Sequence, residues 1–260
     1  MSESPFSQEG QRLVVAHRGA SAIETENTLP AFEAATRAGA DVVEFDVRMT
    51  ADDVAVVMHD PGVGRTTDGR GLVRSTTLSE LKQLGVELSS GERVEVPTLE
   101  EALRCLSGRA SIDVEIKNVP GEPDFDPARE LAVEATLRAL NATAFVGTVL
   151  ISSFNPLSIA RARELAPDVD TGLLVTEEVE ARIAFGYARD RGHAWVLPHA
   201  TAVLDAGREF AIEVHNADMC VGTWITDEPD TAVTLFRAGV DAVATNDPAL
   251  IVAARRVAFG

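Results

Sequence analysis

From Arg12 onward the chain keeps one rhythm: a short Val- and Ile-rich run, then an Ala- and Leu-rich stretch with helical spacing, then the next run. Apolar runs that short, each followed by a helix, suit strands covered by helices in a parallel sheet. The strands are expected at Arg12–Ala16, Asp41–Met49, Ala110–Asn118, Thr148–Ser152, Thr171–Val175, Ala194–Leu197, Met219–Trp224 and Asp241–Ala244. Val54–Met58 reads as a return strand after the polar turn Thr50–Asp53, folding back on Asp41–Met49. Eight strand–helix units remain, the count of an α/β fold of the (β/α)8 TIM barrel type. An open doubly wound sheet is the other candidate, but no Gly-x-Gly-x-x-Gly follows the first strand.

Helix boundaries carry their own signals. Thr28 can cap a helix with Pro30 in its first turn and Gly39 at its end. Further helices are expected from Leu99 to about Leu106, Pro127 to Leu140, Pro156 to Leu165, Val179 to Arg189, Ala202 to Val214, Glu228 to Ala238 and Pro248 to Val257. Residues 60–96 are too long and too Gly-rich for a plain barrel loop, so a small insertion after the second strand is expected there, on the active face, with Leu78–Leu84 helical. Met1–Gln11 is expected to be a loose tail, and residues 1–260 to form one barrel domain. Gly39-Ala40-Asp41 is echoed by Gly239-Val240-Asp241, each a helix stop leading into a strand.

Charge and composition limit the partners. The net charge is −18 with no basic stripe, which argues against nucleic acid. Only Lys82 and Lys117 are lysines; arginine supplies the remaining positive charge. That balance fits a source adapted to high salt or simply a GC-rich genome. Cys105 and Cys220 have no metal spacing and read as reduced thiols. The polar start and the lack of a membrane-length apolar run point to a soluble, cytoplasmic protein without stable membrane insertion. The oligomeric state is left open.

The polar residues that stand out fall at strand ends. Within Asp41–Met49 the period of two puts Glu44, Asp46 and Arg48 on one face and Val43, Phe45 and Val47 on the other. Neighbouring carboxylates repel unless a cation lies between them, and the return strand brings His59 beside them. His17 and Arg18 end the first strand, while Glu115 and Lys117 end the third. In a barrel those ends build one site. Carboxylates suit a hard divalent cation, and an imidazole suits an acid–base step. Each pair taken alone could be an ordinary solvated strand face.

Taken in order, the motifs are Ala16-His17-Arg18-Gly19, Glu26-Asn27-Thr28-Leu29-Pro30, Gly39–Val47, His59-Asp60, Pro97–Glu101, Glu115-Ile116-Lys117, Ser152-Ser153-Phe154, Trp224 and Gly239–Thr245. From about residue 13 onward the chain resembles the glycerophosphodiester phosphodiesterase family. The resemblance implies hydrolysis of glycerophosphodiesters, small-molecule substrates, to glycerol 3-phosphate and an alcohol, by way of attack by the glycerol 2-hydroxyl and a cyclic phosphate. It implies a divalent cation, Mg²⁺ or Ca²⁺, on Glu44, Asp46 and Glu115, with His17 and His59 as the acid–base pair. Arg18 and Lys117 would hold phosphate oxygens, and Trp224 would wall the substrate pocket.

Two positions depart from the family pattern. Thr25 stands where proline is usual and Asn246 where aspartate is common; both are expected to affect loop and cap details without touching the acid–base or metal set. His193, His199 and His215 read as surface or helix-end residues. No Gly-x-Ser-x-Gly elbow is present, so no Ser-His-Asp triad is expected. A related barrel phospholipase acting on intact lipids, or a non-catalytic phosphate-binding barrel, are the alternative functions.

Overall fold

A computed structural model describes residues 11–260; the expected tail Met1–Gln11 lies, but for Gln11, outside the described residues. In chain order the first half comprises β1 (Leu13–Ala16), α1 (Leu29–Ala38), β2 (Val42–Met49), β3 (Ala55–Val57), α2 (Leu78–Leu81), β4 (Val86–Glu87), β5 (Arg93–Val94), α3 (Leu99–Leu106) and β6 (Ser111–Ile116). The second half comprises α4 (Leu131–Thr143), β7 (Val149–Ser153), α5 (Pro156–Leu165), β8 (Asp170–Leu174), α6 (Ala181–Asp190) and β9 (Trp195–Leu197). It ends with α7 (Ala200–Ala206), α8 (Arg208–His215), β10 (Cys220–Thr223), α9 (Pro229–Ala238), β11 (Ala242–Thr245) and α10 (Pro248–Phe259). Hydrogen bonding runs β1-β11-β10-β9-β8-β7-β6-β2, and β2 pairs again with β1. Eight parallel strands therefore close a barrel with helices outside, and β3 lies antiparallel on β2 as the expected return.

The alternation in β2 decides what faces where. Val43, Phe45 and Val47 are fully buried against Phe32 of α1 and Leu99 and Leu103 of α3. Glu44 and Asp46 point the other way, into the barrel. Thr28 caps α1 by accepting from the Ala31 N–H, and Gly39 closes it at φ 83°, a conformation glycine adopts without a Cβ clash. The sequence echo has a structural counterpart. Asp41 Oδ2 accepts from the Val14 N–H at 2.8 Å, and Asp241 Oδ2 accepts from the Val221 N–H at 2.9 Å. After each glycine stop, an aspartate thus ties the incoming strand to its neighbour.

Several boundaries differ from expectation. The helix expected over Ala202–Val214 is two helices, α7 and α8, meeting at Gly207 with φ 76° and ψ 177°, which breaks the hydrogen-bond ladder. The α4 helix starts at Leu131 instead of Pro127, because Asp126 and Asn118 hold the preceding turn in hydrogen bonds. The α6 helix starts at Ala181 instead of Val179. Within the insertion, α2 ends at Leu81 and an unforeseen hairpin, β4–β5, follows. The insertion packs Val63, Val73, Leu81, Val86 and Val96 into a small core with Val56 of β3 and the adjoining Met58. It stands at the carboxyl end of the barrel, where Thr25 Oγ1 donates to Glu87 O at 2.7 Å. That bond gives Thr25 a role that proline could not fill.

Candidate active site

Parallel pairing of β2 with β6 sets Glu44 opposite Asp113 and Asp46 opposite Glu115. This register stacks four buried carboxyl groups inside the barrel. One oxygen each from Glu44, Asp46 and Glu115 lies within 4.8 Å of the others. Oxygens Oε1 of Glu44 and Oδ1 of Asp46 are buried without a hydrogen-bond partner. Buried acceptors are rarely left unpaired, and a hard divalent cation satisfies such a set. Carboxylate oxygens alone, with no thiolate or imidazole among them, fit Mg²⁺ or Ca²⁺.

Charge is divided unevenly in this cluster. Burial first, then the neighbouring Asp46 and Glu115 carboxylates, pushes Glu44 well above the ordinary carboxylate range. Burial works the same way on Asp46, but Lys117 and Arg18 outweigh it and hold Asp46 below that range. Lys117 Nζ donates to Glu115 Oε1 at 2.7 Å and lies 3.6 Å from Asp46 Oδ1; Arg18 Nε lies 3.3 Å from Asp46 Oδ2. Asp113 is pushed up to about 7, by burial above all.

The turn directly after β1 carries two consecutive residues in left-handed backbone conformations. Arg18 has φ 57° and Gly19 φ 84°. A Cβ on Gly19 would come within 2.8 Å of the Ala31 backbone, so glycine is required there. The turn aims the Arg18 N–H at Glu44 Oε2, 2.8 Å away, and the Arg18 side chain at Glu26 Oε1, 3.0 Å away. Asn27, also left-handed at φ 57°, donates from Nδ2 to Asp46 Oδ2 at 2.7 Å and accepts from the Asp46 N–H at 3.3 Å. Asparagine tolerates this conformation because its short polar side chain bonds locally. The strained turns and the acidic cluster therefore hold each other in place.

Both histidines line the same cavity, with different partners. His17 Nδ1 lies 2.8 Å from Asn246 Oδ1, and burial with the nearby Arg18 lowers its pKa to about 4. His59 Nδ1 lies 2.6 Å from Asp60 Oδ1. Arg65 of the insertion grips Asp60 and Glu26 together, at 2.6 Å and 2.7 Å, so one guanidinium steadies the partners of both His59 and Arg18. The cavity, about 230 Å³, runs from His17, Arg18, His59 and Lys117 down to Leu150, Trp195 and Leu197 inside the barrel. Trp224 forms part of its wall, edge-on to Phe154 at 5.3 Å and to His199 at 5.1 Å.

All eight residues singled out in the sequence, His17, Arg18, Glu44, Asp46, His59, Glu115, Lys117 and Trp224, thus meet at the carboxyl end of the barrel, and all but Asp46 line its cavity. Sequence reasoning gave Asn27, Asp60 and Asp113 no role in the site, and it placed Asn246 away from the acid–base pair. Instead Asn246 is the partner of His17. His193 is buried against Thr171, not on the surface, whereas His199 caps α7 and His215 ends α8 as expected.

A sequence model of the Glycerophosphoryl diester phosphodiesterase family matches residues 17–250. The chain belongs to that family. A glycerophosphodiester phosphodiesterase of Caldanaerobacter subterraneus subsp. tengcongensis is 30% identical over 250 residues, covering 92% of this chain and 96% of the relative. An Oleispira antarctica phosphodiesterase, solved with the product sn-glycerol-3-phosphate, superposes with a TM-score of 0.81 at 28% identity, covering 96% of this chain and all (100%) of that one. The glycerophosphodiester phosphodiesterase of Thermotoga maritima superposes at 0.75 with 26% identity, covering 93% and 97%. The chain is a phosphoric diester hydrolase of the glycerophosphodiester phosphodiesterase family, built on the expected barrel. Among the described residues no helix is long and apolar enough to cross a membrane.

Proposed function

We propose that this phosphodiesterase hydrolyses glycerophosphodiesters to glycerol 3-phosphate and an alcohol with the help of a divalent cation, Mg²⁺ or Ca²⁺, and of His17 and His59. The observation that carries the reading is the meeting of three carboxylate oxygens within 4.8 Å at a cavity lined by both histidines. Glu44, Asp46 and Glu115 would hold the ion, which supplies Lewis-acid neutralisation of phosphoryl charge. Arg18 and Lys117 stand beside the cluster and add positive charge toward the phosphate oxygens.

The histidine partners divide the proton work. The Asp60 carboxylate, 2.6 Å from Nδ1, gives the His59 ring anionic support, so His59 is assigned the role of protonating the leaving alkoxide. A neutral amide gives no such support, so His17 on Asn246 fits the group that accepts the proton of the attacking hydroxyl. Trp224 and Phe154 shield one side of the cavity, which keeps solvent from the reacting phosphate.

The test is release of glycerol 3-phosphate from glycerophosphocholine, read by a coupled assay, with and without EDTA. His17→Ala and His59→Ala are each expected to lower kcat by about 10²–10⁴-fold. A substrate with a good leaving group rescues His59→Ala and leaves His17→Ala slow. Full activity after EDTA and dialysis overturns the cation, and near-normal kcat in both variants overturns the histidine pair.

A further inference from the structure

Asn246 follows the last barrel strand, and its side chain sits between two groups. Oδ1 faces His17 Nδ1 at 2.8 Å, and Nδ2 faces Asp227 Oδ2 at 2.8 Å. Asp227, on the loop between β10 and α9, also accepts from the Asn246 N–H at 2.7 Å and from Thr245 Oγ1 at 2.8 Å. Those donors outweigh the opposing effect of burial and keep Asp227 ionised at neutral pH, with a pKa below its ordinary value.

The identities of the donors and acceptors fix the rest of the chain. An ionised carboxylate only accepts, so the Asn246 atom turned toward Asp227 is the NH₂ group. The amide oxygen is then left facing His17, and an amide oxygen also only accepts. His17 Nδ1 must therefore carry the proton, and in the neutral ring Nε2 keeps its lone pair. The opposite amide orientation would set two acceptors, the Asn246 amide oxygen and the Asp227 carboxylate, against each other.

We infer that Asn246 and Asp227 are positioning residues of the phosphodiesterase reaction: they lock His17 in the tautomer whose Nε2 is free to take a proton. The inference rests on the reading of His17 as a proton acceptor and adds what makes it one. The backbone already holds the two segments together, through His17 N–H to Thr245 O and Ala22 N–H to Asn246 O, each at 2.9 Å. The Asn246 side chain is thus not needed to hold the loop in place, which makes its substitution informative.

Histidine labelled with ¹⁵N reports the tautomer directly, and the chain has only five histidines. The His17 signals are assigned by their loss in His17→Ala. In the wild-type protein Nδ1 is expected in its protonated form and Nε2 in its lone-pair form. Asn246→Leu is expected to lose that bias, with kcat for glycerophosphocholine down about 10–100-fold and KM little changed. Asn246→Asp alone sets a carboxylate against Asp227 and is expected to be as poor. The exchange Asp227→Asn with Asn246→Asp restores an acceptor toward His17 and a donor toward it from residue 227, and is expected to recover both the tautomer and most of kcat. An unchanged tautomer or an unchanged kcat in Asn246→Leu overturns the inference, as does failure of the folded double exchange to recover the tautomer. If His17→Ala itself keeps full kcat, the acid–base reading falls instead, and the two failures are told apart.

Discussion

Arg48 donates from Nε to the main-chain oxygen of His59 at 2.7 Å. Its side chain has no exposed surface, and its other nitrogens hold Asp124 at 2.8 Å, Glu122 at 2.8 Å and Lys117 O at 3.3 Å. One buried guanidinium thus fixes the positions of His59, of Lys117 and of the loop between β6 and α4. Arg48→Met keeps the apolar stem but leaves the buried Asp124 without its partner. Breaking one side of a buried pair costs about 3–5 kcal/mol. Urea denaturation should show a loss of that order, together with a lower kcat.

The acidic cluster is expected to oppose folding when no cation is bound. Glu44 is held well above its ordinary pKa by burial and by Asp46 and Glu115, which marks it as the carboxyl the site least tolerates ionised. Glu44→Gln keeps an oxygen for the Arg18 N–H and removes a charge. In EDTA the variant should therefore melt higher than the wild type. With Mg²⁺ or Ca²⁺ the wild type should gain melting temperature and the variant far less. Thermal scans with and without the ion check both halves, and a variant that melts lower in EDTA would contradict the argument.

His193 makes stability depend on pH at a point far from the acidic cluster. Burial, with Arg163 and Arg191, lowers its pKa to about 4 from an ordinary 6.5. Between those values the unfolded chain binds a proton that the native protein refuses. Stability is therefore lost as pH falls through that window. Each such proton contributes a slope of about 1.4 kcal/mol per pH unit. His193→Gln keeps a side-chain oxygen or nitrogen for Thr171 and should flatten the slope by up to that amount. Urea titrations at pH 5 and pH 7 measure it.

The charge of −18 gives a prediction about salt. Screening shortens from a Debye length of about 30 Å at 0.01 M to about 3 Å at 1 M. With the cation site kept saturated, KCl should raise the melting temperature. A chain adapted to salt keeps gaining toward molar KCl, whereas an ordinary acidic chain levels off early. A flat or falling curve would leave the acidity without a role in stability.

The barrel was legible because its signals are local. Period-two strands such as Val42–Met49, caps such as Thr28 and stops such as Gly39 each act over a few residues. The strand-end residues followed from the barrel, since its geometry brings His17, Glu44, His59 and Glu115 to one end. The supporting contacts were not legible, because each depends on the side-chain geometry of segments far apart. Arg48 reaches a loop 74–76 residues away, and no periodicity announces that. Asn246 looked like a neutral departure because the chain shows it next to Thr245, and only closure brings it to His17. His193 looked like a surface residue at the end of a helix, but the β8 strand covers it through Thr171. The break at Gly207 was missed because glycine inside an apolar pattern does not by itself end a helix.

The closing seam of the barrel gives the enzyme a built-in measure of its own assembly. His17 directly follows β1, and its ring partner Asn246 directly follows β11, 229 positions along. The same seam is tied where Arg255 of α10 donates to the main-chain oxygen of Arg12, just ahead of β1. Contacts between segments so far apart are slow to form, so this pairing is expected to come late in folding. A chain with every other strand in place would still carry His17 in an unrestrained ring state. Recovery of turnover during refolding should then trail the recovery of helix and sheet signal, and report the moment the first and last strands meet.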